Sequence, residues 1–376
     1  MIRWLLLILA FLSAFLGLFT VVKVPEIISW TAALLAGEFG CWVAILPAAI
    51  LLLTLFSSGI RTTLTFWLAL AAVVLLVQPC VQAWWIARSL PQRLRTAYGD
   101  PVRKPRAAEA FSFPGLFGAA PAKVAAQKFE FSPKLFLDFY AAQGRVGPAP
   151  VVVVIHGGGW DNGERGQIDT LNFELARAGY AVADISYRLS TQAQWPAQRD
   201  DARAAVHYLK THAVELGVDH HRIVLLGRSA GGQIAEATAY GVPDPDVRGV
   251  IALYAPADML FAYQYGREDD ALRSPALLRT LLGGPPAAQP ASYQSASAYL
   301  IAGPHDPPTL LVHGKLDTLV WYRQSERLAD KLASLGVKHE LVTLPWATHA
   351  VEYHPQGPSG QLTIYAIEWF LGAVMR

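Results

Sequence analysis

A chain of 376 residues with a formal net charge of +2 has no basic excess to bring it to nucleic acid, and its length allows one large domain plus a smaller unit. Hydrophobic residues make up 53% and charged residues only 16%, which is apolar for a soluble protein of this size. Its two cysteines, Cys41 and Cys80, both fall in the apolar N-terminal part, so the rest of the chain has neither a disulfide framework nor a metal-ligand spacing.

The apolar excess lies in the first ninety residues, in three uncharged runs at 4–22, 39–57 and 64–87. Each is close to the roughly 20 residues with which an α-helix crosses the hydrocarbon core. Trp4, Trp67, Trp84 and Trp85 lie near their ends, where amphipathic rings favour the headgroup layer. The first run is long for the core of a signal peptide and no A-x-A site follows it. Residues 1–90 therefore read as a membrane anchor of about three transmembrane helices in contact with lipid. The shorter stretch IISWTAALLA is too brief to span and fits the interface. With three spans, Arg3 and Arg61 share one side, whereas Lys23, Arg88, Arg93, Arg95, Arg103, Lys104 and Arg106 share the other. The positive-inside rule makes the second side cytoplasmic, together with everything that follows.

Residues 91–128, rich in Arg, Pro, Gly and Ala, read as a juxtamembrane linker whose FSFPGLFG segment either touches the bilayer or packs on the domain. From 129 to 376 strand and helix signals alternate. FEF and LFLDFYA are short strands, and PVVVVIH is a continuous apolar run of the buried parallel type. Helical IDTLNFELARAG leads to the strand YAVADISYR, and AQRDDARAAVHYLKTHAVELG leads to RIVLLG. After the helix GGQIAEATAY come the strands VRGVIALYA, PTLLVHG and HELVTLP, with helical SERLADKLASLG between the last two. This alternation predicts an α/β fold with a mostly parallel central sheet covered by helices on both faces, its strand C-termini along one edge.

The chemistry-bearing residues fall on that edge. Gly227, Ser229 and Gly231 form G-x-S-x-G between a strand and a helix, a turn that exposes the serine hydroxyl. HGGGW, His156 to Trp160, follows the strand PVVVVI, and its glycines offer unobstructed backbone N–H groups. Gly157, Gly158 and the N–H of Ala230 are the expected oxyanion donors. Asp317 follows PTLLVHG and His349 follows HELVTLP, in the chain order Ser, Asp, His. Asp258 is a competing acid. Asp306 precedes a strand and so faces the wrong edge, and the pair His220 and His221, also ahead of a strand, reads as solvated. His313 and His354 are weaker candidates for the base, and His156 suits a loop-orienting hydrogen bond better than proton transfer. Trp160 and Trp195 are candidates for substrate contact.

Residues 129–376 resemble the α/β-hydrolase superfamily. HGGGW, GRSAGG, HGKLD and ATHAVEY are similar to its carboxylesterase branch, which includes hormone-sensitive-lipase-like, bacterial feruloyl-esterase-like and arylformamidase-like enzymes. Arg228 departs from the acidic residue common in hormone-sensitive-lipase-like enzymes. The resemblance implies a serine esterase that needs no metal or organic cofactor and acts on small-molecule or lipid-like esters. An arylformamidase-like amidase and an inactive hydrolase-fold scaffold are the alternatives. Because every candidate lies beyond residue 150, the anchor is expected to add nothing to the chemistry, and a chain begun near residue 120 to keep its turnover.

Overall fold

The computed structural model describes residues 2–24, 26–56 and 59–376. Its N-terminal part holds helices α1 (Ile2–Leu18), α2 (Ile27–Val43), α3 (Ile45–Thr54) and α4 (Ile60–Tyr98). Ala10, Ile50 and Ala69 pack together, so the middles of α1 and α3 meet the first part of α4 through small or branched residues. Their other faces expose Leu5, Ile8, Phe15, Leu53, Trp67 and Val74.

The N-terminal part differs from the expected three spans. Among the described residues, only α4 is long and apolar enough to cross a bilayer, or two units if α2 and α3 count as one bent span, and α1 has 17 residues. The run 39–57 is not one helix but the end of α2 and the whole of α3, which meet at a 50° bend. Pro47 gives the reason: its ring excludes the Val43 carbonyl and it has no N–H to offer it, so α2 stops at Val43. IISWTAALLA is the first part of α2 rather than an isolated interfacial piece. Ser57, the last residue of the expected second span, and the side chain of Arg61 lie outside the described residues.

Eight strands form one sheet: β1 (Ala126–Ser132), β2 (Leu135–Tyr140), β3 (Ala149–Ile155), β4 (Ala181–Ile185), β5 (Val218–Arg228), β6 (Val247–Leu253), β7 (Thr309–Gly314) and β8 (His339–Leu344). Their order is β1-β2-β4-β3-β5-β6-β7-β8, antiparallel at β1–β2 and β2–β4 and parallel from β4 to β8. The connecting helices are α5 (Thr170–Arg177), α6 (Ala197–Thr211), α7 (Ala213–Leu216), α8 (Ala230–Ala239), α9 (Met259–Tyr265), α10 (Ser274–Leu282), α11 (Pro290–Ala296), α12 (Ala298–Ile301), α13 (Arg323–Ser334) and α14 (Pro358–Val374). Successive side chains of β3 point to opposite faces. Val151, Val153 and Ile155 join the layer of α6, α8 and α13, and Val152 and Val154 join that of α5 and α14.

Helix α4 belongs to both parts. Leu90, Leu94 and Tyr98 are buried with Trp369 and Phe370 of α14, and the Tyr98 hydroxyl donates to the Thr309 carbonyl at 2.6 Å. Residues 91–98 are thus helix rather than linker, and the sheet begins at Ala126 rather than 129. The intervening chain is fastened to α14, where Val102 N–H donates to Gly372 O at 2.9 Å. In FSFPGLFG, Phe111 and Leu116 are buried in the domain and Phe117 packs against Trp42 of α2. Phe39 of α2 stacks on His354, with ring centroids 4.2 Å apart.

Candidate active site

Ser229 sits between β5 and α8 with φ 52° and ψ −118°, a conformation that an L-residue adopts only when its surroundings enforce it. The enforcement comes from close approach. A Cβ on Gly227 would collide with the carbonyl of Gly231, and one on Gly231 with the carbonyl of Ile155. The serine therefore stands clear of the sheet, with Ala230 opening the helix behind it. Gly157 lies beside it: a Cβ there would be 3.5 Å from Ser229 Cβ. Gly158, Gly159 and Trp160 continue with φ of 117°, 61° and 64°, so the HGGGW loop folds back over the serine. His156 Nδ1–H donates to Gly157 O at 2.7 Å and its ring stacks on Tyr187. Burial pushes the imidazole down to about 4, so it is uncharged at neutral pH and orients the loop.

Asp317 and His349 follow β7 and β8 and are hydrogen-bonded, Nδ1 to Oδ2 at 2.6 Å. Asp317 Oδ1 accepts from the N–H groups of Leu319 and Val320, each at 2.9 Å. Burial alone would push this carboxyl up. The charge of His349 and hydrogen bonds from His313 and His349 outweigh that and hold it well below the usual carboxylate range. Ser229 and Asp317 line one cavity of about 620 Å³, within the size range of small-molecule sites. The structure brings Asp317 and His349 into contact and puts Ser229 on the wall of the same cavity as Asp317, but the Ser229 hydroxyl makes no hydrogen bond to His349. Such bonds often tighten only once substrate is bound.

The competing residues are engaged elsewhere. Asp258 caps α9 through Phe261 N–H and pairs with Arg327 at 2.7 Å. Asp306 accepts from Gly303 and Gly241 N–H groups, and His221 faces Asp246. Trp160 forms part of the cavity wall and donates to Gln233 Oε1 at 2.9 Å. Trp195 does not: it is buried beside α11, its indole N–H donating to Ser295 Oγ at 3.0 Å, so its bulk serves packing.

Four features escaped sequence reasoning. His313 is a second partner of Asp317, Nε2 to Oδ2 at 3.2 Å, and its Nδ1 meets Ser325 Oγ at 2.7 Å. Arg228, fully buried beside the serine, donates from Nε to Glu352 Oε1 at 2.8 Å. The Tyr254 hydroxyl donates to the same oxygen at 2.6 Å while its ring lies 4.2 Å from that of His349. Lastly, Lys23 and Glu26, between α1 and α2, also line the cavity, so the N-terminal part reaches the candidate site.

Comparison with known proteins agrees with this architecture. Residues 137–332 match the family BD-FAE. LipM of Mycobacterium tuberculosis, a probable carboxylic ester hydrolase, is 30% identical over 238 residues, covering 61% of this chain and 55% of LipM. The isoprenylcysteine alpha-carbonyl methylesterase ICME of Arabidopsis thaliana is 26% identical, covering 58% of this chain and 54% of its own length. The chain thus spans about half the length of these curated relatives. Among solved structures, a bacterial heroin esterase superposes with a TM-score of 0.58 at 26% identity, covering 69% of this chain and 88% of that one. A truncated carbohydrate esterase from gut microbiota, at 21% identity and a TM-score of 0.55, shares the fold over 67% of this chain and 99% of its own.

Proposed function

The chain belongs to the BD-FAE family, and from that premise we propose that it is a membrane-anchored serine hydrolase that cleaves carboxylic esters. Ser229 Oγ attacks the ester carbonyl while His349 Nε2 takes its proton. Asp317 fixes the tautomer with the proton on Nδ1 and balances the imidazolium that forms. The oxyanion is received by N–H groups of Gly157, Gly158 and Ala230, where loss of one donor typically lowers the rate ~100- to 1000-fold. His349 then protonates the leaving alcohol and activates water against the acyl-enzyme, which releases the acid and restores Ser229.

The observation that carries this reading is the 2.6 Å Asp317–His349 bond beside a cavity that Ser229 enters from a strained strand-to-helix turn. The anchor rests on the apolar faces of α1, α3 and α4 and on Arg88, which lies over the rings of Trp84 and Trp85 where α4 nears the domain. The excess of basic residues on the domain side supports a cytoplasmic site.

The test is labelling by a fluorophosphonate, which needs an activated serine, together with hydrolysis of a short-chain ester by the full chain. Ser229→Ala is expected to abolish both without a change in thermal unfolding. Labelling of a pure Ser229→Ala sample at the wild-type rate rejects the assignment.

A further inference from the structure

We propose that the cleft takes its substrate at the bilayer surface, as an ester whose long apolar chain enters from the leaflet across a rim built partly by the α1–α2 connector. This rests on the reading of Ser229 as the nucleophile of a membrane-anchored esterase.

The connector is part of the site in two ways. Lys23 and Glu26 line the same cavity as Ser229, and the Thr318 hydroxyl donates to Val24 O at 2.8 Å. Thr318 directly follows Asp317, so the end of an apolar N-terminal helix is tied to the loop that carries the catalytic acid. Val21 and Val22, immediately before Lys23, are exposed, which carries the apolar surface of α1 up to the cavity wall. A long Lys side chain at that point can keep its charge in the headgroup layer while its stem covers apolar surface.

The cavity also has an aromatic rim. Tyr265 is 57% exposed and Trp321 42% exposed, with Phe261 between them, its centroid 4.6 Å from Tyr265 and 5.5 Å from Trp321. Leu260 beside them is exposed too. A cluster of outward-facing rings is uncommon on a protein surrounded only by water. Trp and Tyr at the edge of an apolar helical unit match the interfacial belt, where the ring is half in lipid and the polar tip is wet. Inside that belt, an ester carbonyl at headgroup depth reaches the cavity of Ser229 while its chain lies in the leaflet and against the Phe261, Tyr265 and Trp321 side of a wall that also carries Glu26, Arg267 and Asp269. Each methylene kept in the leaflet is worth roughly a fourfold preference over water.

The experiment uses the full chain in phosphatidylcholine vesicles with p-nitrophenyl acetate and p-nitrophenyl dodecanoate. The dodecanoate is loaded either into the vesicles that carry the protein or, in the same amount, into protein-free vesicles mixed with them. The expected result is an initial rate at least tenfold higher when ester and protein share vesicles. Replacing Tyr265 and Trp321 by Ser is expected to lower shared-vesicle dodecanoate hydrolysis at least threefold more than acetate hydrolysis. Equal rates from the two loadings with the wild-type chain overturn the proposal and need no variant to fold, as does a double variant that loses both activities equally. If neither ester is cleaved and Ser229 takes no fluorophosphonate, the esterase reading itself has failed and this proposal falls with it. Acetate hydrolysis without the shared-vesicle advantage removes the proposal alone.

Discussion

Asp317 and His156 are both buried, yet their burial has opposite consequences for charge. Asp317 stays ionised because His349 and His313 face one of its oxygens and two N–H groups the other. A carboxyl held below its unfolded value adds stability above about pH 4, and that contribution is lost as the pH falls further. Its catalytic weight is predicted from the same geometry. Asp317→Asn leaves the wrong imidazole tautomer and lowers kcat by a factor on the order of 10⁴. Combined with His349→Ala it costs little more than His349→Ala alone, because the pair acts as a unit. A near-wild-type Asp317→Asn alongside a dead Asp258→Asn would reassign the acid. His156 has no carboxylate, and burial pushes it down to about 4. Between about pH 6.5 and pH 4 the unfolded chain binds a proton that the folded chain refuses. Stability therefore falls as the pH drops through that window, by up to about 3 kcal/mol for a shift of this size. In His156→Asn, whose amide can still donate to Gly157 O, the difference in unfolding midpoint between pH 7 and pH 4.5 is expected to shrink. An unchanged pH slope would remove His156 as its source.

At the scale of elements, the candidate residues follow the ends of β3, β5, β7 and β8, and that placement was legible in the sequence. A buried strand is a short apolar run, a tight turn leaves glycines, and both signals are local. What spans the turns was not legible. Arg228 and Glu352 stand 124 positions apart, and nothing local pairs them. Together with Tyr254 they tie the serine turn to the loop of His349, so removing one partner strands a buried charge. Arg228→Gln or Glu352→Gln is predicted to cost about 3–5 kcal/mol, and the double variant less than the sum. Purely additive losses in thermal unfolding would show that the pair is not coupled. The reach of α4 was missed for a different reason: hydropathy stops near Ala87, but Leu90, Leu94 and Tyr98 continue at helical spacing toward α14. Trp195 illustrates the converse, since the size of an indole does not reveal that Ser295 satisfies it. The packing of α4 reverses the expectation for a truncated chain. Leu94→Ala is predicted to lower stability by about 2–5 kcal/mol, and a chain begun at residue 120 to be insoluble or unfolded. A soluble, fully active truncation would show that α4 only rests on the sheet.

For the whole molecule, the proposed anchor makes a prediction about which side of a membrane the domain would occupy. Seven basic residues (Lys23, Arg88, Arg93, Arg95, Arg103, Lys104, Arg106) lie on the domain side of the helical unit and two (Arg3, Arg61) on the other. In the folded chain several of the seven are already engaged: Arg93 pairs with Glu340, Arg95 with Asp100, Arg106 with Glu174, and Arg103 donates to the Ala178 carbonyl. Their hold on an anionic leaflet, ~1 kcal/mol for each residue near the surface, is thereby reduced. Orientation, however, follows Lys and Arg within about 15–20 residues of the helix ends and is little affected by acidic residues, so these pairings do not cancel the bias. Arg3 pulls the other way, and a large domain can cross regardless of local charge. The balance predicts a cytoplasmic domain. Cys41 and Cys80 pair with one another between α2 and α4, so Ala119→Cys, on an exposed stretch ahead of β1, supplies a thiol without a partner. In intact spheroplasts this cysteine is expected to resist a membrane-impermeant maleimide and to react fully after lysis. Full reaction before lysis would place the hydrolase outside, and the leaflet that feeds its rim would then be the outer one.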